Sequence, residues 1–308
     1  MNDQESPPVA PSNPDFRCGF VAIVGRPNVG KSTLLNALLE RKVSIVSHKP
    51  QTTRHRILGI QTTDAAQIIF VDTPGLHSGG KRAMNRHMNR AALTSLNDAD
   101  LNLFVIEALR WTDEDQRILD QLVERGRPII LAVNKVDKVT PRERLLPFME
   151  ELSRKAHFAE VVPLSGLKHS NLAVVPALIG KYLPLSPPHF PADQVTDRSP
   201  QFQASEIIRE KLTQRLHQEL PYGLTVEIER FAQEEGRLLV NAVIWVERTG
   251  QKAIVIGHAG EQLKEVGRAA RIEMAELFAQ PVHLELWVKV KENWSDSEAA
   301  LRQLGYES

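Results

Sequence analysis

The chain has 308 residues, enough for about two domains, and its 42% hydrophobic and 25% charged residues are those of an ordinary globular protein. Lys+Arg and Asp+Glu both number 38, so no global charge draws it to nucleic acid, and any such surface must be a local patch. The single cysteine, Cys18, excludes an intrachain disulfide and a cysteine metal cluster, which suits a reducing cytoplasm, and no apolar run approaches the length of a membrane span.

Residues 1–15 are polar, acidic and rich in proline, without the basic and apolar regions of a signal peptide, and read as a disordered tail. Residues 16–184 then alternate strands and helices. The expected strands are Phe20–Val24, Ile57–Gln61, Gln67–Val71, Leu101–Ile106, Pro128–Val133 and Glu160–Leu164. This alternation predicts an α/β domain with a mostly parallel sheet and helices on both faces. Ligands bind such sheets at the carboxyl ends of the strands, so the residues after each strand carry the function.

After the first strand, Gly25-Arg26-Pro27-Asn28-Val29-Gly30-Lys31-Ser32 fits G-x-x-x-x-G-K-S, the phosphate-binding P-loop, and Thr33 continues into a helix. The glycines allow a tight turn and close backbone approach to an anion, with backbone amides and the helix N-terminus aimed at phosphate oxygens. Lys31 is expected to reach the outer phosphates, and the Ser32 hydroxyl to ligate Mg²⁺. The polar stretch from Arg41 to Arg56 includes Gln51-Thr52-Thr53-Arg54-His55 and reads as a switch loop, with Thr53 the preferred metal ligand and Thr52 the next.

After the third strand comes Asp72-Thr73-Pro74-Gly75: a carboxylate for the metal and a glycine amide for a γ-phosphate. The residue after Gly75 is Leu76, whose isobutyl group cannot orient an attacking water. His77, Arg82, Arg86 and His87 follow in what reads as a mobile, solvated basic segment. After the fifth strand, Asn134-Lys135-Val136-Asp137 selects the base. A carboxylate in the ring plane accepts from guanine N1–H and N2–H₂, and adenine would leave it unpaired. This argues against an ATP-dependent kinase. Lys135 can lie over the base and Asn134 can brace neighbouring loops. Ser165-Gly166 follows the sixth strand, where backbone amides would meet guanine O6.

From Leu183 to Pro200 there are five prolines in 18 residues, so residues 185–200 are expected to be a stiff, extended linker. Residues 201–291 predict a smaller α+β domain. Its helix Ala204–Leu220 carries Ile207, Ile208, Leu212 and Leu216 on one face. Strands Leu224–Phe231 and Arg237–Glu247 flank a turn at Glu234-Glu235-Gly236. A short helix at Gly250–Ile256, the loop Gly257-His258-Ala259-Gly260, a helix to about Ala279 and the alternating strand Val282–Val290 complete it. Lys264, Arg268 and Arg271 share a helix face near that loop, with Lys252 close in sequence. The domain has 12 Lys/Arg against 13 Asp/Glu, so it is not basic overall. Trp287 alternates away from the apolar face; of two readings, stacking on a base or packing under the charged tail, residues 292–308, the second is expected, with Trp294 as that tail's anchor.

The four motifs G-R-P-N-V-G-K-S, Q-T-T-R-H, D-T-P-G and N-K-V-D stand here in the order and spacing of a P-loop GTPase of the translation-factor class, and more closely resemble the Era family. The fifth motif departs from it: Ser165-Gly166-Leu167-Lys168-His169 stands where that family usually has Ser-Ala. The second domain resembles a type II KH domain, whose G-x-x-G loop clamps single-stranded RNA. Era-like chains usually read G-N-K-G where His258-Ala259 stands, which removes one phosphate contact. The resemblance implies GTP/GDP and Mg²⁺ as ligands, with Asn28, Lys31, Thr53 and Gly75 in the hydrolytic machinery. Related GTPases with asparagine at the position of Asn28 can hold K⁺ beside the phosphates. The resemblance also implies a monomer that binds single-stranded 16S rRNA near its 3′ end and acts in assembly of the small ribosomal subunit. Its expected place is the cytoplasm, with weak peripheral association at the cytoplasmic face of the inner membrane. The alternative is a constitutive RNA-binding protein whose GTP site is structural.

Overall fold

The computed structural model describes residues 13–47, 49, 52–74, 82–216 and 223–306. Gln51, Gly75, Leu76 and His77, together with most of the N-terminal tail, lie outside them. The elements run β1 (Arg17–Val24), α1 (Lys31–Leu39), β2 (Ile57–Thr62), β3 (Ala66–Asp72), α2 (Ala83–Asp98), β4 (Leu101–Glu107), α3 (Asp113–Glu124), β5 (Ile129–Asn134), α4 (Leu145–Ser153), β6 (Glu160–Pro163), α5 (Val174–Gly180), α6 (Pro200–Arg215), β7 (Leu224–Glu234), β8 (Arg237–Val246), α7 (Thr249–Ile256), α8 (Glu261–Leu277), β9 (Val282–Val290) and α9 (Glu298–Gln303). Two compact units emerge: residues 1–44, 53–76 and 91–197 form one, and residues 45–52, 77–90 and 198–308 the other.

The first unit holds a six-stranded sheet in the order β2-β3-β1-β4-β5-β6. Only β2 is antiparallel to its neighbour; β1 runs parallel to both β3 and β4. Continuous apolar strands arise because helices cover both faces: every residue of β3 and of β5 is buried. One face carries a core of Ile23, Leu34, Leu35, Phe70 and Val105, the other a core of Val24, Phe104, Ile106, Leu119 and Leu131. Cys18 is fully buried beside Ile69 and Val71, and burial pushes its thiol up, as befits a small packing residue.

The stretch expected to be a stiff, extended linker also packs against the first unit. The backbone amide of Ile60 donates to Val195 O at 2.8 Å, and the Gln67 carboxamide oxygen accepts from the amides of His189 and Phe190 at 2.8 and 3.0 Å. Phe190 packs against the core containing Cys18 and Ile69. Most of the proline-rich segment therefore lies along the first unit's sheet; proline forbids ladder donors but not side-chain packing or carbonyl acceptance. Pro200 opens α6, at a position where a missing amide costs nothing, with Ser199 as the N-cap accepting from Phe202 N at 3.2 Å. Helix α6 ends at Arg215, short of the expected Leu220, and Leu216 is extended.

The second unit contains the three-stranded sheet β7-β8-β9, antiparallel then parallel. Glu235 and Gly236, both at positive φ, make the two-residue hairpin turn between β7 and β8. Ile207, Ile208, Leu212 and Leu216 are buried as their period predicts, against Val240, Ala242, Val266, Ala270 and Met274. The tail is anchored by Trp294, fully buried, with its indole N–H on Gly223 O at 3.3 Å. Trp287 does not pack under the tail: it is 42% exposed on β9. Residues 83–90 are helical rather than loose. Ala83, Met84 and Met88 share a core with Trp294, Leu301 and Tyr306, and His87 is buried edge-on to Tyr306.

Candidate functional site

The carboxyl ends of β1, β3, β4, β5 and β6 carry five segments into one region of the first unit. The P-loop turns on two glycines at positive φ, Gly25 and Gly30. A Cβ on Gly25 would stand 2.2 Å from Val105 O, and one on Gly30 would stand 2.5 Å from the Asn134 side-chain nitrogen, so only glycine fits either position. Helix α1 begins at Lys31 with neither a side-chain cap nor an acidic residue in its first turn. Its leading amides are thus left for an external acceptor. By contrast α3 is closed by a capping box between Thr112 and Asp115.

Lys31 is buried, and its ammonium donates to Gly25 O at 2.8 Å and Arg26 O at 3.0 Å. Burial lowers its pKa to about 8, against the opposing pull of the Asp72 and Glu114 carboxylates. Beside it, three hydroxyls gather on one oxygen of Asp72. Ser32 Oγ donates at 2.9 Å, Ser44 Oγ at 2.8 Å and Thr53 Oγ1 at 3.3 Å, while Ser32 and Thr53 are 3.0 Å apart. The other carboxylate oxygen, Asp72 Oδ1, is buried and has no hydrogen-bond partner among the described residues. A buried carboxylate with one oxygen lacking a donor and the other surrounded by hydroxyls fits a hard cation such as Mg²⁺ held by few protein oxygens, phosphates and water. Among the described residues no group of three or more His, Cys, Asp or Glu offers an all-protein cage instead.

The two threonines of the Gln51–His55 stretch make different contacts. Thr53 reaches Asp72, whereas the Thr52 hydroxyl donates to Lys49 O at 2.7 Å. Arg54 is buried and His55 half-buried. Ser44 is an addition that sequence reading missed, because a lone serine in a loop carries no signal. Thr73 and Pro74 are buried behind Asp72, with the Thr73 hydroxyl 3.3 Å from Ile23 O. The Arg26 side chain turns away from the phosphate region. Its guanidinium bonds Asp115 at 3.2 Å and Glu107 at 3.1 Å, so only its backbone remains for phosphate. Pro27 and Val29 fill the loop between, Val29 fully buried. Thr33 is half-buried in the first turn of α1.

At the base side, Asn134 braces three segments: its amide nitrogen donates to Val29 O at 2.8 Å, and its carbonyl accepts from Lys135 N at 2.8 Å and Gly166 N at 3.0 Å. Lys135 Nζ donates to Asn28 O at 2.7 Å, joining base loop to P-loop. Asp137 is exposed in the short turn Val136–Lys138, and its Oδ1 accepts from Ser165 Oγ at 2.6 Å. The amide of Ser165 donates to Ser170 O at 3.0 Å and that of Gly166 to Asn134, so both amides of the fifth motif are engaged within the protein. The Ser165 hydroxyl holds the Asp137 carboxylate.

In the second unit, Gly257 and Gly260 adopt φ of 74° and 79°, with Ala259 also left-handed at 47°. His258 and Ala259 are exposed between α7 and α8. Lys264, Arg268 and Arg271 are exposed on α8, opposite its buried Val266, Ala270 and Met274, and Lys252 is half-buried on α7. Glu265, which adjoins the basic stripe, faces Arg215 at 3.5 Å.

Residues 20–135 match the family described as 50S ribosome-binding GTPase, and residues 219–295 match the KH domain family. The chain is 54% identical to GTPase Era of Marinobacter nauticus over 295 residues, covering 96% of this chain and 97% of that protein. Its fold is similar to the crystal structure of an Aquifex aeolicus Era variant bound to GDP and AlF₄⁻, with a TM-score of 0.92 and 40% identity over 95% of this chain and all of that one. It is equally similar to Era in complex with MgGDPNP and nucleotides 1506–1542 of 16S ribosomal RNA, with a TM-score of 0.91 and 41% identity over 95% of this chain and all of that one. The P-loop, the bare start of α1 and the Asn134–Asp137 turn, joined in one chain to a KH domain, belong to a GTP-hydrolysing enzyme of the Era family.

Proposed function

We propose that the chain couples its nucleotide state to the binding of single-stranded 16S rRNA near its 3′ end, and so acts in assembly of the small ribosomal subunit. The observation that carries the nucleotide half is the gathering of Ser32, Ser44 and Thr53 on Asp72 in front of the uncapped α1. Lys31 and the P-loop amides hold the outer phosphates. Ser32, Thr53 and Asp72 hold Mg²⁺, which when bound neutralises charge on the phosphate oxygens. Thr53 and the amide of Gly75 respond to the γ-phosphate and register its loss. Asp137, steadied by Ser165, reads guanine, and Lys135 covers the base.

Leu76 leaves the attacking water without a side-chain orienter, so hydrolysis is slow unless another group adds positive charge. Asn28 is the residue for that. It is exposed, its backbone is left-handed at φ 65°, and its carboxamide has no hydrogen bond among the described residues, which suits a neutral oxygen donor to K⁺. Turnover in KCl is expected to exceed that in NaCl; equal rates remove K⁺ from the mechanism.

The RNA half is supported by the KH domain match and by the RNA in the structure of a relative. The loop Gly257–Gly260 clamps the RNA backbone, and Lys252, Lys264, Arg268 and Arg271 contact phosphates. The G-domain family's description names the 50S ribosome, but that match stops at residue 135, whereas the RNA in the structure of a relative matched over 95% of this chain is 16S ribosomal RNA. Family membership supports a cytoplasmic monomer able to associate weakly with the inner membrane's cytoplasmic face. Separately, among the described residues no helix is long and apolar enough to cross a membrane. Crosslinking to RNA in cells, followed by sequencing, tests the target, and recovery of large-subunit RNA alone overturns it. RNA affinity that is equal in apo, GDP and GTP forms favours the alternative, a constitutive RNA-binding protein with a structural GTP site.

A further inference from the structure

Glu107 closes β4, and no motif marks it. Its two carboxylate oxygens reach two different parts of the site. Oε1 lies 3.1 Å from Lys135 Nζ, and Oε2 lies 3.1 Å from Arg26 Nη2. The same Lys135 ammonium donates to Asn28 O in the P-loop at 2.7 Å. Arg26 goes on to Asp115, which is fully buried and completes the capping box of α3. One carboxylate thus ties the P-loop, the end of β4 and the base loop together.

A lysine ammonium is a point charge on a four-carbon stem with three donors, so a single carbonyl contact leaves it free to sweep. Glu107 supplies the second fixed acceptor, and the line from Glu107 through Lys135 to Asn28 spans the gap between phosphate loop and base loop. Burial pushes the Glu107 carboxyl up, but the Lys135 ammonium and then the Arg26 guanidinium outweigh it and hold the group below the usual carboxylate range. It is therefore held as a carboxylate facing Lys135 and Arg26. The Arg110 guanidinium, at 3.7 Å, lies on the outer side of the same carboxylate.

We propose that Glu107 is a positioning residue for guanine-nucleotide binding, holding Lys135 over the base while locking the base loop to the P-loop. This rests on reading the P-loop and Asn134–Asp137 as the nucleotide site. The test is stopped-flow binding and release of a fluorescent N-methylanthraniloyl-GDP, with steady-state GTP turnover alongside. Glu107→Gln keeps the shape and removes the charge. It is expected to weaken GDP and GTP binding by about three- to tenfold, mainly through faster release, with kcat at saturating GTP unchanged. In a Lys135→Ala background the same substitution is expected to change affinity within about twofold, because the group it positions is gone. An unchanged affinity in Glu107→Gln overturns the proposal. So does an equal loss in both backgrounds, which would make Glu107 a general structural residue. The parent chain keeps the two readings apart: failure of wild type to bind GDP, or binding that survives Lys31→Ala undiminished, overturns the nucleotide-site assignment itself.

Discussion

The two glycine loops of this molecule look alike in sequence and differ in what surrounds them. Each turns on glycines at positive φ, and each leads into a helix without a side-chain cap: Gly30 before α1 and Gly260 before α8. The P-loop is packed from behind. Added Cβ atoms would strike Val105 O from Gly25 and the Asn134 side chain from Gly30. The Gly257–Gly260 loop is open: a Cβ on Gly260 meets nothing within 4 Å, and only Gly257 is crowded, by Gln262. The cations differ in the same way, Lys31 being buried and Lys264, Arg268 and Arg271 exposed. Helix α8 also carries Glu261 in its first turn, where α1 carries no acid. One loop is built into a core, which suits the compact, highly charged ligand we propose for it; the other is a surface edge, open enough for the flexible strand we propose there. Effects of substitution should therefore be steep and local in the first and graded in the second.

The largest expected effect is at Lys31. Lys31→Ala removes the buried cation and lowers GTP and GDP affinity on the order of a hundredfold or more, while the second unit keeps its fold by NMR. Undiminished GTP affinity would break the distinction between the two loops at its root. Next is Asp137→Asn, which presents the wrong donor pattern to guanine. Its preference for GTP over xanthosine triphosphate is expected to drop by about two orders of magnitude or more, measured by competition against labelled nucleotide.

The glycines give the most direct contrast. Gly25→Ala drives a side chain against backbone at a residue with φ 156°, and should destabilise the first unit by about 2–4 kcal/mol. Gly260→Ala meets open space and suffers only the left-handed backbone, about 1–2 kcal/mol. Urea unfolding followed by a probe in each unit separates the two, and similar losses would mean that packing does not distinguish the loops. The smallest effects are at the exposed cations. Lys264→Gln and Arg268→Gln should each weaken single-stranded RNA binding a few-fold and reduce the salt slope by about 0.7. A slope that does not move would take that residue off the RNA path.

Much of the site was legible because it is written contiguously. Gly25–Ser32, Asp72–Gly75 and Asn134–Asp137 each stand at the end of an apolar strand, and the strands that run parallel carry their carboxyl ends to the same edge of the sheet. Asking what stands at each strand tip would also have found Glu107, since it ends β4. Nothing comparable marks Ser44, which meets Asp72 across 28 positions of the chain. Local pattern also left the packing of the proline segment open. Its composition disfavours helix and central strand, but whether an extended chain packs depends on the sheet beside it.

By itself the sequence determined the alternation of strand and helix, the order of the phosphate and base motifs, and the left-handed turns that only glycine makes easily, because each depends on neighbours a few residues apart. The tertiary structure alone decided that Thr53 and not Thr52 reaches Asp72, and that the amides of Ser165 and Gly166 are already engaged. It also decided that one carboxylate at Glu107 joins Arg26 to Lys135. These are meetings of side chains and amides brought together by the twist and register of the sheet, and no period in a linear sequence encodes them.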